Sequence, residues 1–290
     1  MRSYTQLTPH LWVVQSRTFF TNSGVIVDAG GACLVDPCMH PDEMEDIACF
    51  VQDQHAMPEL ILLTHGHWDH ILGLERFPGV QTIAQVNYLT EVRENESNIR
   101  RAISAWEAEN GIHRAGSFSI PQPGRTFDGT LEVRVGSLRL HLEHAPGHAW
   151  DQFVIYHAET GMLWAADMLS DREIPFVSDN LLSYQRTLDR LSGRDIQVLV
   201  PGHGHATTDQ QEIQSRLAAD IAYLAELSDI VGRAVRQNKT LEETIALCSG
   251  MCYRHPTENA GPHRLNVESA YLEFGGAADP DKAGWAQEGA

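Results

Sequence analysis

Lysine is almost absent from this 290-residue chain: Lys239 and Lys282 are its only two, and arginine supplies the rest of the 21 basic residues. Set against 39 acidic residues, they leave a formal net charge of -18. Such a surface repels a nucleic-acid backbone unless cations are concentrated in one place, and Arg100-Arg101 is the only adjacent basic pair. No nucleic-acid partner is expected. Cysteine is sparse and odd in number: Cys33, Cys38, Cys49, Cys248 and Cys252 do not form a disulfide framework. Cys248-x-x-x-Cys252 lacks further ligands nearby and reads as a reduced pair on a helix. No apolar run approaches the roughly 20 residues that cross a membrane. The first residues, Met1-Arg2-Ser3-Tyr4-Thr5-Gln6, lack the apolar stretch of a secretory leader. The expectation is a cytoplasmic protein with no membrane partner. A G-x-S-x-G nucleophile motif is also missing, so a covalent serine route is not expected.

What the chain does have is histidine in one dense cluster, His65-Gly66-His67-Trp68-Asp69-His70. It follows Leu60-Ile61-Leu62-Leu63-Thr64, whose unbroken apolar character reads as a strand buried on both faces. Neutral imidazoles and a carboxylate at a strand end suit one or two divalent metals such as zinc. Four more landmarks follow the same pattern of apolar strand, turn and polar residue. Asp36 ends Leu34-Val35-Asp36, and His148 sits in Pro146-Gly147-His148. Asp167 ends Leu163-Trp164-Ala165-Ala166-Asp167, and His203 follows Val198-Leu199-Val200-Pro201-Gly202. Near His148, His144 and His141 compete for a ligand role, but only His148 has the Pro-Gly turn; His205 competes with His203 in the same way.

The H-x-H-x-D-H spacing with these ordered landmarks resembles the metallo-β-lactamase superfamily, over about residues 10–210. The resemblance implies an α/β fold, a four-layer αββα sandwich, with two divalent metal ions at one edge. Zn(2+) is the first expectation, with iron or manganese as the alternatives. It assigns His65, His67 and His148 to one metal, Asp69, His70 and His203 to the other, and Asp167 to both. A bridging hydroxide would then attack a carbonyl, with Asp69 as the catalytic group that orients it. Asp36 would brace the metal loops, or else cap the helix that follows Pro37. Trp68 is a candidate for the substrate pocket or for packing, and Asp151 for a partner of a ligand imidazole. Ser170 stands where lactonases of the family carry a tyrosine. Asp167 matches the glyoxalase II and lactonase branch, whereas many true β-lactamases lack an aspartate there. The expected reaction is hydrolysis of a thioester, ester or lactone of a small molecule. A mononuclear-iron persulfide dioxygenase and a β-lactamase are the alternatives.

The remaining expectations concern architecture. Strands are expected at residues 11–15, 24–28, 32–36, 60–64, 131–135, 138–143, 154–157, 162–164 and 196–200, with helices at about 42–54 and 181–191. Residues 83–110 read as one long charged helix within an insertion at about 84–128, a pocket wall or a homodimer contact. After a domain spanning 1–210, residues 211–275 read as a helical C-terminal appendage with helices at 211–234, from Thr240, and at 267–274. Residues 276–290 read as a flexible tail.

Overall fold

The computed structural model describes residues 3–37, 39–113 and 118–277, so Cys38 and nearly all of the expected tail lie outside the described residues. The first sheet has seven strands side by side in chain order: β1 (Thr5–Gln6), β2 (Leu11–Gln15), β3 (Asn22–Asp28), β4 (Gly31–Val35), β5 (Met57–Leu62), β6 (Gln81–Gln85) and β7 (Arg125–Phe127). It is antiparallel from β1 to β4 and parallel from β4 to β7. The second sheet runs from β8 (Thr130–Val135) through β9 (Leu138–His144) and β10 (Phe153–His157) to β11 (Met162–Trp164), all antiparallel; β12 (Val198–Val200) then joins parallel to β11.

Three apolar clusters make these sheets the inner layers of a four-layer sandwich. Side chains alternate along a strand, so a strand covered on both faces must be apolar throughout. β5 and the residue after it obey this rule: Leu60 and Leu62 enter the core between the sheets, while Ile61 and Leu63 enter the core beneath the helices of the first sheet. β11 and its continuation divide likewise, Met162 and Trp164 facing the first sheet and Leu163 and Ala165 facing outward. Helices α1 (Pro41–Asp53), α2 (Trp68–Ile71), α3 (Tyr88–Glu94) and α4 (Glu96–Asn110) cover the first sheet. Helices α5 (Leu181–Ser192), α6 (Gln210–Arg236), α7 (Leu241–Cys248) and α8 (Ala260–Glu273) cover the second. The expected C-terminal helices are therefore an outer layer of the sandwich, with Ile213, Leu217, Leu224 and Leu227 of α6 in the same buried cluster as Leu163 and Leu199.

Three expectations change. Residues 83–110 are not one helix: Gln81–Gln85 is a strand parallel to β5, with Leu62 opposite Ile83. The β-branched Thr82 and Ile83 suit that pleated, buried position. The helix that follows is broken at Asn95, whose amide donates to Glu91 O at 3.2 Å and to Glu91 Oε1 at 2.7 Å. Such a side-chain bond to nearby backbone competes with the helical pattern. The insertion is accordingly α3, α4 and a loop, and it closes with β7. The last helix starts at Ala260 instead of 267, because Pro262 falls in its first turn, where a missing N–H costs nothing. Cys252 lies beyond the end of α7, so the cysteine pair is not helix-borne; Cys33, Cys49, Cys248 and Cys252 are all free thiols.

Candidate metal centre

Strand ends from both sheets meet at one edge of the sandwich. The turn after β5 carries His65 and His67, and the one-turn α2 carries Asp69 and His70. The turn between β9 and β10 carries His148, the segment after β11 carries Asp167, and the turn after β12 carries His203. The two sheets are tied together here: Asn22 Nδ2 donates to Pro201 O at 2.9 Å and to Gly204 O at 2.8 Å, and Phe153 N donates to Thr64 O at 3.0 Å. Two glycines allow the close approach. A Cβ on Gly202 would lie 2.0 Å from Asp167 Oδ1, and one on Gly147 (φ +130°) would lie 2.3 Å from the Tyr184 backbone.

The side chains form two groups whose ligand atoms lie within 4.8 Å of one another: His65, His67, His148 and Asp167, and beside them Asp69, His70 and His203. Asp167 stands between them. Its Oδ2 is 3.6 Å from His65 Nε2, 3.4 Å from His148 Nε2 and 3.3 Å from His203 Nε2, and its Oδ1 is 3.1 Å from His70 Nε2. Asp69 Oδ2 lies 3.2 Å from His203 Nε2 and 3.7 Å from His70 Nε2.

The outer nitrogens fix the tautomers. His148 Nδ1 donates to Phe176 O at 2.9 Å, and His203 Nδ1 donates to Phe19 O at 3.1 Å. His70 Nδ1 donates to Asp36 Oδ2 at 3.2 Å. His65 Nδ1 donates to Thr64 Oγ1 at 3.0 Å, because that hydroxyl has already given its own proton to Asp36 Oδ2 at 2.6 Å. In the neutral imidazole the inner nitrogen is then a bare lone pair. His70 Nε2 and His203 Nε2 face each other at 3.2 Å, and His148 Nε2 and His67 Nδ1 at 3.0 Å. At His70 and His203 two lone pairs cannot satisfy one another, and among the described residues buried His65 Nε2 and Asp167 Oδ1 have no hydrogen-bond partner. Converging unsatisfied donors of this kind fit a cation.

The charge balance agrees. Burial holds His65 well below the usual imidazole pKa, with His70 adding to it; burial and His148 push His67 down to about 3; burial also lowers His148. Burial is the largest single influence on His70 and His203 and acts the same way, but the carboxylates together outweigh it, Asp167 and Asp69 at His70 and Asp167 and Glu173 at His203, so both are raised. Burial opposes ionisation of Asp167, yet His70 and His203 hold its carboxyl well below the ordinary range. With their inner nitrogens 3.2 Å apart beside Asp167, His70 and His203 stand where positive charge is favoured, and a divalent ion can supply it in place of a proton.

Asp36 is a brace. Its carboxylate accepts from Thr64 N at 2.8 Å, from Thr64 Oγ1 and from His70 Nδ1, it is fully buried, and its backbone is left-handed (φ 42°). The N-cap of α1 is His40, so the capping alternative for Asp36 falls. Trp68 is half-buried and packs on Phe19 and Trp106, with ring centroids 5.9 and 5.7 Å away. The Ser170 hydroxyl is taken up by its own loop, accepting from Arg172 N at 3.1 Å and Glu173 N at 3.2 Å. His144 bonds Trp150 O, His205 bonds Asp171, and His141 is exposed on β9; none belongs to either group. Among the described residues Asp151 partners no imidazole of either group: its carboxylate lies against the backbone of the His65–His67 turn, one oxygen 3.3 Å from where a Cβ on Gly66 would stand.

Several supports were not anticipated. Thr64 precedes the motif and links Asp36 to His65, and Gln152 Oε1 accepts from Asp167 N at 3.2 Å. Both are polar residues at strand ends beside a landmark, a signal the chain does carry. The carbonyls of Phe19 and Phe176 have no such signal. A concavity of about 680 Å³ lined by Val51, Met57, Phe77 and Val80 is remote from this chemistry and shares none of its residues.

Comparison with known proteins agrees with this geometry. The family model described as "Metallo-beta-lactamase superfamily" matches residues 16–203. The acyl-coenzyme A thioesterase MBLAC2 of Gallus gallus is 26% identical over 157 residues, 50% of this chain and 56% of that one. The hydroxyacylglutathione hydrolase of Legionella pneumophila (strain Lens) is 26% identical over 132 residues, 46% of this chain and 42% of that one. The chain thus spans about half the length of these curated relatives. Among solved structures, the sec-alkylsulfatase Pisa1 from Pseudomonas sp. superposes with a TM-score of 0.74 at 16% identity, over 98% of this chain and 52% of that one. A metallo-beta-lactamase family protein from Thermus thermophilus superposes with a TM-score of 0.69 at 20% identity, over 95% of this chain and 98% of that one. At these identities the structures speak for the fold alone.

Proposed function

The chain belongs to the metallo-beta-lactamase superfamily, and on that premise we propose that it is a metal-dependent hydrolase that cleaves a carbonyl ester-type bond of a small molecule, a thioester first. The observation that carries the reading is the convergence of five imidazoles and Asp69 around Asp167, with the inner nitrogens of His65, His70, His148 and His203 bare. His65, His67, His148 and Asp167 would hold one divalent ion, and Asp69, His70 and His203, with Asp167 beside them, would hold a second. When bound, such a pair supplies Lewis acidity and brings the pKa of a water from 15.7 to about 7. Zinc is the expected metal for a set of nitrogen and carboxylate donors.

The chain's own residues supply position and proton handling. Asp69 turns Oδ2 toward His203 and His70, and its other oxygen is assigned to accept the proton of the attacking water. Water oxygen bonds the carbonyl carbon, the bond from carbon to sulfur or oxygen breaks, and the leaving group takes up a proton. Burial of His65, His70, His148, His203 and Asp36 keeps bulk water from competing for these positions. The thioester preference rests on the thioesterase named among the relatives.

The test is a hydrolysis screen over acyl thioesters, lactones, aryl esters, β-lactams and alkyl sulfates, with metal content measured on the same preparation. Two zinc equivalents with thioester turnover is the expected result. One iron per chain without hydrolysis, or turnover confined to β-lactams or sulfates, overturns it. No helix among the described residues is long and apolar enough to cross a membrane, so the assay is planned in aqueous buffer.

A further inference from the structure

The wall of the candidate centre between Asp167 and α5 is a loop with little regular structure, residues 168–180. Several of its backbone polar groups are satisfied from the C-terminal helical layer. Arg216 Nη1 donates to Leu169 O, Asn259 Nδ2 to Arg172 O, Arg254 Nη1 to Glu173 O, and Asn259 Oδ1 accepts from Ile174 N, at 2.9–3.4 Å. Asn266 of α8 is the most exacting of these contacts. Its Nδ2 donates to Pro175 O at 2.7 Å, and its Oδ1 accepts from Val177 N at 2.7 Å.

Val177 N–H and Phe176 C=O belong to the same planar peptide group, and Phe176 O is the acceptor that holds His148 Nδ1 at 2.9 Å. We infer that Asn266 is a positioning residue for His148, fixing through one peptide plane the imidazole that the proposed metal centre uses; the inference rests on that reading of the centre.

The amide is itself locked in one orientation. His263 Nε2 faces the carbonyl of Cys248 at 3.1 Å, an acceptor only, so it carries the proton and Nδ1 is bare. Tyr223 Oη donates to that Nδ1 at 2.9 Å and, in turn, accepts from Asn266 Nδ2 at 2.9 Å. Both amide hydrogens and the amide oxygen of Asn266 are therefore used, and a flipped amide would oppose donor to donor at Val177. Asn266 is fully buried, so each lost bond leaves an unsatisfied group without water to replace it. Indirect supports of metal ligands typically change metal affinity about 10–100-fold.

The test compares full-length wild type, Asn266→Ala and Asn259→Ala, each stripped of metal and titrated with zinc against a chromophoric chelator. Asn259 braces the same loop but not the Phe176–Val177 peptide. Asn266→Ala is expected to lose about 10–100-fold affinity for one zinc and to keep the other, while Asn259→Ala stays within about 3-fold for both. Wild-type affinities in Asn266→Ala, or the same selective loss in Asn259→Ala, overturn the inference. If Asn266→Ala does not fold, Tyr223→Phe, which removes one of the three partners that hold the amide, must show a smaller loss at the same ion; unchanged affinities there overturn it too. A metal-free readout separates this inference from the reading of the centre. Exchange of the His148 Nδ1–H proton, followed by NMR, should be faster in Asn266→Ala than in wild type, and equal rates refute the positioning role. Wild type that binds no zinc refutes the metal centre instead.

Discussion

The imidazoles delivered by the first sheet and those delivered by the second are held by different chemistry. His65 and His70 lean on one carboxylate, Asp36, directly or through Thr64. His148 and His203 lean on backbone carbonyls, Phe176 O and Phe19 O, that arrive from loops distant in the chain. A carboxylate partner raises the basicity of a ligand imidazole and is encoded by a single residue. A carbonyl partner is only as well placed as its loop. The first half of the site is therefore sensitive to a few local side chains, and the second half to packing elsewhere in the fold.

Substitutions can break or sharpen that contrast. The largest effect is expected at Asp167, the one side chain both halves share. Asp167→Ala should lower occupancy of both metals and reduce hydrolysis by on the order of 10³-fold, at the upper end of what one electrostatic element contributes. Metal analysis beside kcat/KM decides it, and wild-type metal content would refute the shared role. Next is His148→Ala, which should lose one metal and about 10²-fold in rate, whereas His144→Ala keeps both metals and stays within about 2-fold. The reverse outcome would move the ligand to His144, whose Nε2 is already bonded to Trp150 O at 2.7 Å. Smaller again is Asp36→Asn, which leaves every ligand in place but puts an amide where Thr64 N, Thr64 Oγ1 and His70 Nδ1 all donate. It should weaken metal binding about 10–100-fold. Because His65 and His70 fall in different groups, both ions should be affected, and selective loss of one would show that Asp36 does not serve the two equally.

The same contrast explains how much was legible in the residues alone. Buried strands such as Leu60-Ile61-Leu62-Leu63 are apolar on both faces, and a polar residue at the end of one is costly unless it has a partner. That rule makes Asp36, His65, Asp167 and His203 candidates at strand ends; the family resemblance and the Pro-Gly turn supply His148, which follows the alternating strand β9. Carbonyl braces carry no residue code, so the roles of Phe19 and Phe176 became visible only once the loops were placed. The long helix expected at residues 83–110 failed for a related reason. Leu89, Val92, Ile99, Ile103 and Trp106 keep a helical spacing, but the backbone of Ile83 before them is claimed by pairing with β5, and local periodicity contains no record of which strand lies alongside. Asp151 misled for another reason: the family resemblance puts a supporting polar residue there, yet its carboxyl lies against Gly66, with one oxygen 3.3 Å from where a Cβ on that glycine would stand.

Asp151 also sharpens the comparison from outside the site. Asp151 is fully buried and Asp167 nearly so, and the two aspartates titrate in opposite directions. Imidazoles hold Asp167 low, whereas burial pushes Asp151 well above the usual 3.8, with Glu91 adding to it. A carboxyl whose folded pKa is raised binds its proton more tightly in the native state than in the unfolded one. Its stabilising contribution is complete below the unfolded value near 3.8 and is lost as pH rises toward the folded value. The slope from one such group is at most about 1.4 kcal/mol per pH unit. Asp151→Asn keeps the shape and removes the titration. Its stability relative to wild type should rise steadily above about pH 4, while metal content and turnover stay within about 2-fold. Chemical denaturation at several pH values measures the difference directly. A constant offset between the two proteins would mean that Asp151 is ionised in the native state and has a cationic or hydrogen-bonding partner. A fall in metal content would return it to the service of the ligand imidazoles.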